Sequence, residues 1–262
     1  MSLKSTKEPL VSIIMNCFNG EKYLREAIDS IYNQTYRNWE IIFWDNNSSD
    51  ASSSIALSYD DRLRYFKSKE TLTLGSARRK AMENVKGEWV GFLDTDDIWL
   101  PQKLSIQIRK VINTNYVLCY GGINEIRSNG KIIRKVLPRY HSGFMLADQL
   151  LNFEINMVTP LINNRYLQKN SLNFDEKITA SEEYNLFMRI IVEGKVCVIN
   201  QILGFWRISD YTTTNKQISN WYKERLLTLE QIQTENPEII DLYPQEFEEA
   251  YSRGSYYKVR YL

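Results

Sequence analysis

The stretch from Trp89 to Trp99, WVGFLDTDDIW, joins a short apolar segment to a run of acids. Its first residues, WVGFL, are typical of a strand that is buried on both faces. Three carboxylates, Asp94, Asp96 and Asp97, then follow within four positions. Like charges this close raise one another's pKa, so we expect a positive group to bind there.

Three earlier apolar segments are followed by polar residues in the same way. They are VSIIM at 11–15, WEIIFW at 39–44 and RLRYF at 62–66, and they run into NCFNG, DNNSSD and KSKE. Near-continuous apolar strands indicate a parallel sheet. Because helical patterns alternate with these strands, we expect an α/β fold with a doubly wound, mostly parallel sheet. Such sheets bind ligands at the carboxyl ends of their strands, where these polar segments lie.

Apolar residues at helical spacing predict three helices in this part of the chain. The third is expected to begin near Pro101, because proline suits the first helical turn. The residues expected to face inward are Tyr23, Leu24, Ala27, Ile28 and Ile31 in the first helix, Ala77, Ala81, Met82 and Val85 in the second, and Leu104, Ile108 and Val111 in the third.

The pattern changes from about Tyr116 onward. Two strands joined by a Ser-Asn-Gly turn at 128–130 are expected first. A helix from about Thr179 to Glu193 and a short strand, KVCVIN, should follow, and polar helices should begin after Asn215. We therefore expect one domain over residues 9–210 and a C-terminal α-helical extension over 211–262.

Composition favours a globular protein of the cytoplasm. The chain has 262 residues, 43% of them hydrophobic, with 33 basic and 32 acidic side chains. This balance offers no electrostatic reason to expect nucleic acid as a partner. No apolar run of about 18 residues predicts a membrane span, and no signal peptide opens the chain. Cys17, Cys119 and Cys197 are far apart, which predicts buried thiols rather than a disulfide or metal framework.

The acidic run favours a divalent cation over two alternatives. One Asp after a strand could cap the next helix, but three exceed what capping uses. An EF-hand loop beginning at Asp94 would have Ile98 at its fifth position and no Gly at its sixth. Carboxylates without nearby His or Cys favour Mg²⁺ or Mn²⁺, which often bind together with phosphate. The sequence therefore predicts a metal-phosphate site after this strand.

Further charged side chains lie at the starts of predicted helices. Thr179 and Glu182 have the spacing of a capping box, which gives Glu182 a structural role. Glu183 lies on the inward stripe of its helix, where a carboxylate either reaches water at the core edge or is paired or functional. Arg78 also lies on an inward stripe and opposes the helix dipole. It either faces a diphosphate or buries only its stem.

Taken in order, these segments resemble glycosyltransferase family 2, the inverting enzymes of the GT-A fold. PLVSIIMNCFNGEKYLREAIDSIYNQTY is similar to the family's opening strand and helix, and WEIIFWDNNSSD to its second strand. LGSARRKAMENVKGEWVGFLDTDD resembles the Ala-Arg helix and the strand that ends in the DXD motif. SEEYNLFMRI resembles the segment whose second acid is the catalytic base. The resemblance covers roughly residues 9–210.

The resemblance implies a role for each matching residue. Glu183 would be the general base, Asp96 would coordinate Mn²⁺ or Mg²⁺, and Asp97 would support that ion. Asp94 would contact the ribose or the metal, and Arg78 would approach the diphosphate. The remaining donor-binding positions would be Asn16, Phe18, Asn19, Asp45 and Thr95.

The chain departs from the family pattern at two positions. Arg79 stands where an Asn often follows the Ala-Arg pair. Ser209 stands two residues after Arg207, where many members carry a His that assists the metal or the diphosphate. Serine is a weak metal ligand. Because they occupy the positions of this family segment, Arg207 and Ser209 are further candidates for the site.

The resemblance implies a hexosyl or N-acetylhexosaminyl transferase of polysaccharide biosynthesis. It would move a sugar from a nucleotide-diphosphate sugar, expected to be a UDP-sugar, to a glycan or lipid-linked acceptor, and peripheral association with the inner face of the membrane would suit such an acceptor. Two alternatives stay open: a non-catalytic nucleotide-sugar-binding scaffold, and a nucleotidyltransferase. The latter needs a Gly-rich phosphate loop with Arg or Lys after the first strand, which NCFNGEKYL matches poorly.

Overall fold

The computed structural model describes residues 8–208 and 218–261. Nine strands in these ranges form a single sheet. In chain order they are β1 (Val11–Cys17), β2 (Trp39–Asp45), β3 (Leu63–Lys67), β4 (Trp89–Phe92), β5 (Ile98–Trp99), β6 (Tyr116–Ile126), β7 (Ile132–Val136), β8 (Leu161–Asn163) and β9 (Lys195–Arg207).

Helices connect these strands and close the described chain. They are α1 (Glu21–Tyr32), α2 (Ser52–Ala56), α3 (Leu74–Met82), α4 (Lys103–Val111), α5 (Leu146–Leu151), α6 (Asn164–Lys169), α7 (Glu182–Ile191), α8 (Ile218–Glu235), α9 (Ile239–Leu242) and α10 (Pro244–Tyr261). None of them is both long enough and apolar enough for a membrane crossing, as far as the described residues go.

The first half of the sheet is parallel, as the apolar segments predict. Its order is β3-β2-β1-β4, and β1 pairs in parallel with both β2 and β4. Helices cover both faces, because Ile13 of β1 packs in the same core cluster as Leu24 and Leu104 while its neighbour Ile14 packs in the cluster of Ala81. β2 and β3 lie on one side of β1, whereas β4 lies on the other side. Ligands of open α/β sheets bind at the carboxyl ends of the strands where the strand order reverses in this way.

The second half of the sheet mixes strand directions. β8 is antiparallel to β4 and β6, whereas β6 and β9 run parallel. The predicted Ser-Asn-Gly turn joins β6 to β7, and Gly130 adopts a φ of 80° there. The strand expected to be KVCVIN is longer than predicted and continues to Arg207. Because Ile98 of β5 pairs with Phe205, the extra residues of β9 lie alongside the acidic loop, residues 94–97 between β4 and β5.

The helix predicted near Pro101 begins at Lys103, and Lys103 is fully buried. Its Nζ donates a hydrogen bond to Gln107 Oε1 at 2.7 Å and lies 3.8 Å from the centroid of the Trp99 ring. Burial disfavours the ammonium form and lowers the pKa of Lys103 to about 7. Lys103 is therefore a buried, pH-sensitive group packed against Trp99 of β5.

We expect the Lys103→Met variant to alter how stability depends on pH. Between pH 7 and about 10 the unfolded lysine still holds its proton while the folded one has lost it. The unfolded state then binds more protons, so this group makes the wild type more stable as pH rises, by at most about 1.4 kcal/mol per pH unit. Urea unfolding of both proteins at pH 7, 8 and 9 measures the slope. Parallel curves for the two proteins would contradict a neutral buried lysine.

Candidate functional site

The polar loops after β1, β2 and β4 meet at one edge of the sheet. Asn19 N donates to Ser48 Oγ at 3.0 Å, and Ser49 N donates to Asn19 Oδ1 at 2.9 Å, so the first two loops are tied together. Asn19 adopts a φ of 52° to make this turn. A Cβ atom on Gly20 would lie 2.8 Å from Thr95 Oγ1, which shows how closely the third loop approaches. The candidate residues of all three loops therefore share one region.

Asp45 is fully buried at the end of β2. Its Oδ1 accepts a hydrogen bond from Ser48 N at 2.7 Å, and its Oδ2 accepts one from the Tyr65 hydroxyl at 2.6 Å. Burial raises the pKa of Tyr65, so the phenol stays a donor. A carboxylate has about four acceptor sites. With two of them Asp45 ties the end of β2 to the loop that follows it and to Tyr65 of β3.

Asn16 is the last residue but one of β1, and its side-chain amide is buried. Neither Oδ1 nor Nδ2 has a hydrogen-bond partner among the described residues. An unsatisfied buried polar atom costs about 1–3 kcal/mol, and an amide presents one donor group and one acceptor. Phe18, two residues on, is 55% exposed. The buried amide of Asn16 and the exposed ring of Phe18 together suit a planar ligand with polar edges.

The acidic loop after β4 contains three carboxylates with different surroundings. Asp97 is buried and its Oδ1 accepts a hydrogen bond from the Arg207 N at 2.8 Å. Burial, reinforced by the charges of Asp96 and Asp94, raises its pKa well above the usual range. Asp96 is partly exposed, and burial followed by the charge of Asp94 raises its pKa to about 6. Its own backbone N–H donates to the Asp96 carboxylate, which forms no salt bridge among the described residues.

Arg78 joins the acidic loop to α7. Its Nη2 donates to Asp94 Oδ1 at 2.8 Å, and its Nη1 donates to Glu182 Oε1. The residue is only 3% exposed, so the interpretation of a buried stem with a solvated head is wrong. A guanidinium held between two carboxylates is oriented by both. Arg78 therefore fixes the distance between the loop and the helix.

The capping box predicted at the start of α7 is wrong. The helix begins after Ser181, and the Thr179 hydroxyl donates to Glu224 of α8 instead of capping α7. Glu182 is 3% exposed and bound to Arg78. Glu183 is partly exposed and lies within electrostatic range of Arg78 and Asp94. Burial raises the pKa of both glutamates, and both interact electrostatically with Arg78 and with Asp94 of the acidic loop.

Arg207 supports the acidic loop from the opposite side. Its Nε donates to the Asp96 carbonyl at 2.8 Å, and its Nη2 pairs with Glu26 Oε2 at 2.7 Å. The guanidinium lies 4.2 Å from the centroid of the Tyr23 ring. Since Arg207 is 3% exposed, its effect on a ligand would come through the position of the acidic loop. Ser209, the other candidate of this segment, lies outside the described residues.

A divalent ion would have to be held by two carboxylates at this site. Among residues 8–208 and 218–261, no three His, Cys, Asp or Glu side chains gather into a complete metal site. Mg²⁺ and Mn²⁺ that are bound together with phosphate need only one or two carboxylates from the protein. Asp96, whose carboxylate forms no salt bridge among the described residues, and the 37% exposed side chain of Asp94 fit that requirement. Asp97 does not fit as well, because it binds β9.

Two residues of this region were missed at the level of sequence. Glu182 was assigned to a cap because its spacing matched a local pattern. Glu224 had no signal at all, since its contacts span 43 to 45 positions of the chain. Patterns of spacing report neighbours along a helix, and such pairs are formed only by tertiary packing.

The chain matches the family model for glycosyl transferase family 2 over residues 12–173. It is 34% identical over 222 residues to an uncharacterised glycosyltransferase of Rickettsia typhi, covering 82% of this chain and 69% of that protein. It is 32% identical over 217 residues to the UDP-Glc:alpha-D-GlcNAc-diphosphoundecaprenol beta-1,3-glucosyltransferase WfgD of Escherichia coli, covering 82% of each. Two other Rickettsia relatives are longer, and the chain spans 28% and 37% of them.

Solved structures show the same fold at low sequence identity. TarS of S. aureus in complex with UDP-GlcNAc superposes with a TM-score of 0.74 at 17% identity, over 90% of this chain and 72% of that one. The mannosyltransferase PcManGT of Pyrobaculum calidifontis, in complex with GDP-Man and Mn²⁺, gives 0.64 at 13% identity, over 94% and 74%. These likenesses confirm the expected GT-A type of α/β fold.

We expect the Arg207→Lys variant to loosen the acidic loop. An ammonium cannot at once replace the fork to Asp96 and Glu26 and the planar stack on Tyr23, so the free energy of unfolding should fall by about 1–3 kcal/mol. Hydrogen exchange of residues 94–99 measures the loosening. Arg253→Lys, in an exposed pair with Glu249, is the control. Equal exchange of the loop in both variants would contradict the role of Arg207.

Proposed function

Because the chain belongs to glycosyltransferase family 2 and is thereby a glycosyltransferase, we propose that it transfers a hexosyl or N-acetylhexosaminyl group, with inversion, from a UDP-sugar to a hydroxyl group of a lipid-linked saccharide. The observation that carries the proposal is the bridge that Arg78 makes between the acidic loop and the glutamate pair of α7. It places acids suited to an ion and acids suited to a proton on two sides of one cation.

The donor side of the proposal rests on the loops after β1, β2 and β4. The unpartnered amide of Asn16 and the remaining acceptor sites of Asp45 suit the edge of a nucleobase, and Phe18 offers a ring. Two proteins of similar sequence or fold have UDP-sugars in their names, UDP-Glc for WfgD and UDP-GlcNAc for the TarS complex. We therefore assign the donor as a UDP-sugar.

Asp94 and Asp96 are assigned to a divalent cation shared with the diphosphate. Their carboxylates belong to the exposed part of the loop, and a Mn²⁺ ion accompanies the nucleotide sugar in the PcManGT complex. Such an ion, when bound, neutralises the charge that develops on the leaving diphosphate. Arg78 holds Asp94 in place at 2.8 Å, so it acts on the diphosphate through that carboxylate.

Glu183 is assigned as the general base. Glu182 is bound to Arg78, whereas Glu183 is the partly exposed member of the pair. A raised pKa brings a carboxylate closer to the operating pH, which favours proton abstraction. The acceptor hydroxyl would give its proton to Glu183 as its oxygen bonds to the anomeric carbon, while the bond from that carbon to UDP breaks on the opposite face. This order of events inverts the configuration.

The acceptor is assigned from the relative whose name states one. WfgD acts on a GlcNAc-diphosphoundecaprenol, and the chain is similar to 82% of it. A saccharide joined through a diphosphate to a long polyprenyl chain is therefore the proposed class, with the enzyme meeting its acceptor at a membrane surface.

We expect the Asp96→Asn variant to lose Mn²⁺-dependent UDP binding, because the amide is a weaker ligand for a hard cation than the carboxylate. Titration calorimetry with UDP, with and without Mn²⁺, measures the loss. Asp60→Asn, which removes an exposed carboxylate paired with Arg62 at the amino end of β3, is the matched control. Unchanged affinity in Asp96→Asn would remove this carboxylate from the metal site.

We expect the Glu183→Gln variant to bind UDP normally and to lose about 10²-fold or more in transfer rate, as removal of a general base does. UDP release from UDP-glucose with a GlcNAc-diphosphate lipid acceptor measures turnover. Glu193→Gln, an exposed acid just beyond the other end of α7, serves as the control. Normal turnover by Glu183→Gln would exclude it as the base.

A further inference from the structure

Glu224 of α8 binds the segment that leads into α7. Its Oε1 accepts hydrogen bonds from Thr179 N at 2.8 Å and from the Thr179 hydroxyl at 2.7 Å. Its Oε2 accepts from Ala180 N at 2.7 Å, Ser181 N at 2.9 Å and the Ser181 hydroxyl at 3.2 Å. The carboxylate is 6% exposed. Both oxygens of Glu224 therefore accept hydrogen bonds from three consecutive residues, 179–181.

These contacts hold the residues that lead into α7, and the last of them, at Ser181, binds the N–H group of the N-cap residue. The first N–H groups of a helix and those just before it have no partner within the helix, and the Ser181 side chain forms no capping bond. A carboxylate near a helix N-terminus is also favoured by the helix dipole. Glu224 thus holds the residue from which the first turn begins, and that turn carries Glu182 and Glu183.

The same segment is confined on its other side by α3. A Cβ atom on Gly75 would lie 2.6 Å from the Ile178 carbonyl and 3.5 Å from Glu182 Cβ, so only glycine allows this approach. Arg78, one turn further along α3, binds Glu182. Residues 178–182 accordingly lie between α3 and α8.

The contact between α8 and α7 continues as a polar stripe. Asn185 Nδ2 donates to Thr228 Oγ1 at 3.2 Å and to Gln231 Oε1 at 2.7 Å. Arg189 then donates to both oxygens of Glu235, each at 2.9 Å. Glu224 and Glu235 are thus two carboxylates on one face of α8, one at each end of α7. Only the first adjoins the glutamate pair.

We propose that Glu224 is a positioning residue for the transfer reaction: it holds the first turn of α7 so that Glu183 faces the acceptor hydroxyl. This inference rests on the proposed function of Glu183 as base. It makes α8, the first helix after the sheet, a support of the catalytic residue, although no residue of α8 need touch the reacting atoms.

The test compares Glu224→Gln with Glu235→Gln in the full chain. Glu224 is buried and accepts five hydrogen bonds, whereas the Glu235 side chain is 37% exposed, so the larger loss of Tm is expected for Glu224→Gln, and both variants are compared at a temperature well below the lower Tm. With UDP-glucose and a GlcNAc-diphosphate lipid, Glu224→Gln should lower kcat about tenfold, which corresponds to about 1.4 kcal/mol, and leave KM for the donor within about twofold. Glu235→Gln should keep kcat within about twofold.

Hydrogen exchange supplies a readout that does not depend on activity. In Glu224→Gln the amides of residues 179–183 should exchange faster, whereas in Glu235→Gln they should be unchanged. If Glu224→Gln proves too unstable, Glu224→Asp keeps the charge on a shorter side chain and should give an intermediate kcat.

The outcomes separate this inference from the proposed function. Turnover retained by Glu183→Gln overturns the assigned base and this inference with it. Turnover lost in Glu183→Gln but retained by Glu224→Gln overturns this inference alone. Equal losses of kcat in Glu224→Gln and Glu235→Gln would show that α8 acts through stability only, and would also overturn it.

Discussion

The guanidinium of Arg78 is the interaction on which the site depends. It is buried between Asp94 and Glu182, two carboxylates that lie 16 and 104 positions away from it in the chain. With Glu183 near them, three acids lie around one buried cation, and without that cation their like charges would repel. Removing the cation would leave buried carboxylates uncompensated, which is among the more destabilising changes a protein can undergo. The acidic loop and α7 can therefore be neighbours only because α3 supplies this arginine.

Other contacts divide the work of holding the acids. Arg207 binds the main chain of the loop at Asp96, and its own main-chain N–H binds the Asp97 carboxylate. Glu224 holds the start of α7. As a result Asp97 and Glu182 are engaged by Arg207 and Arg78, while Asp96 and Glu183 form no salt bridge among the described residues. Each free acid adjoins a bound one in the sequence, so the two adjacent acids of each pair have different roles that their shared residue type does not reveal.

The strands and the meeting of the polar loops could be predicted from the sequence. Apolar runs such as WEIIFW must be buried on both faces, and parallel strands end at the same edge of their sheet. The helices beginning near Glu21 and Lys103 could also be predicted, because their apolar residues recur at helical spacing. The prediction was wrong where a local pattern has two physical causes. Thr179 and Glu182 have capping-box spacing, yet both side chains bind partners in other helices.

By itself, the sequence determined the α/β class and the edge of the sheet where the polar loops meet, because burial period and strand direction act over a few neighbouring residues. Only the tertiary structure decided which acid is paired and which is free. That choice depends on Arg78, Arg207 and Glu224, whose contacts join segments up to 181 positions apart. Hydrogen bonds and ion pairs at such separations leave no periodic trace in the chain, since they form only after the sheet and its helices have packed.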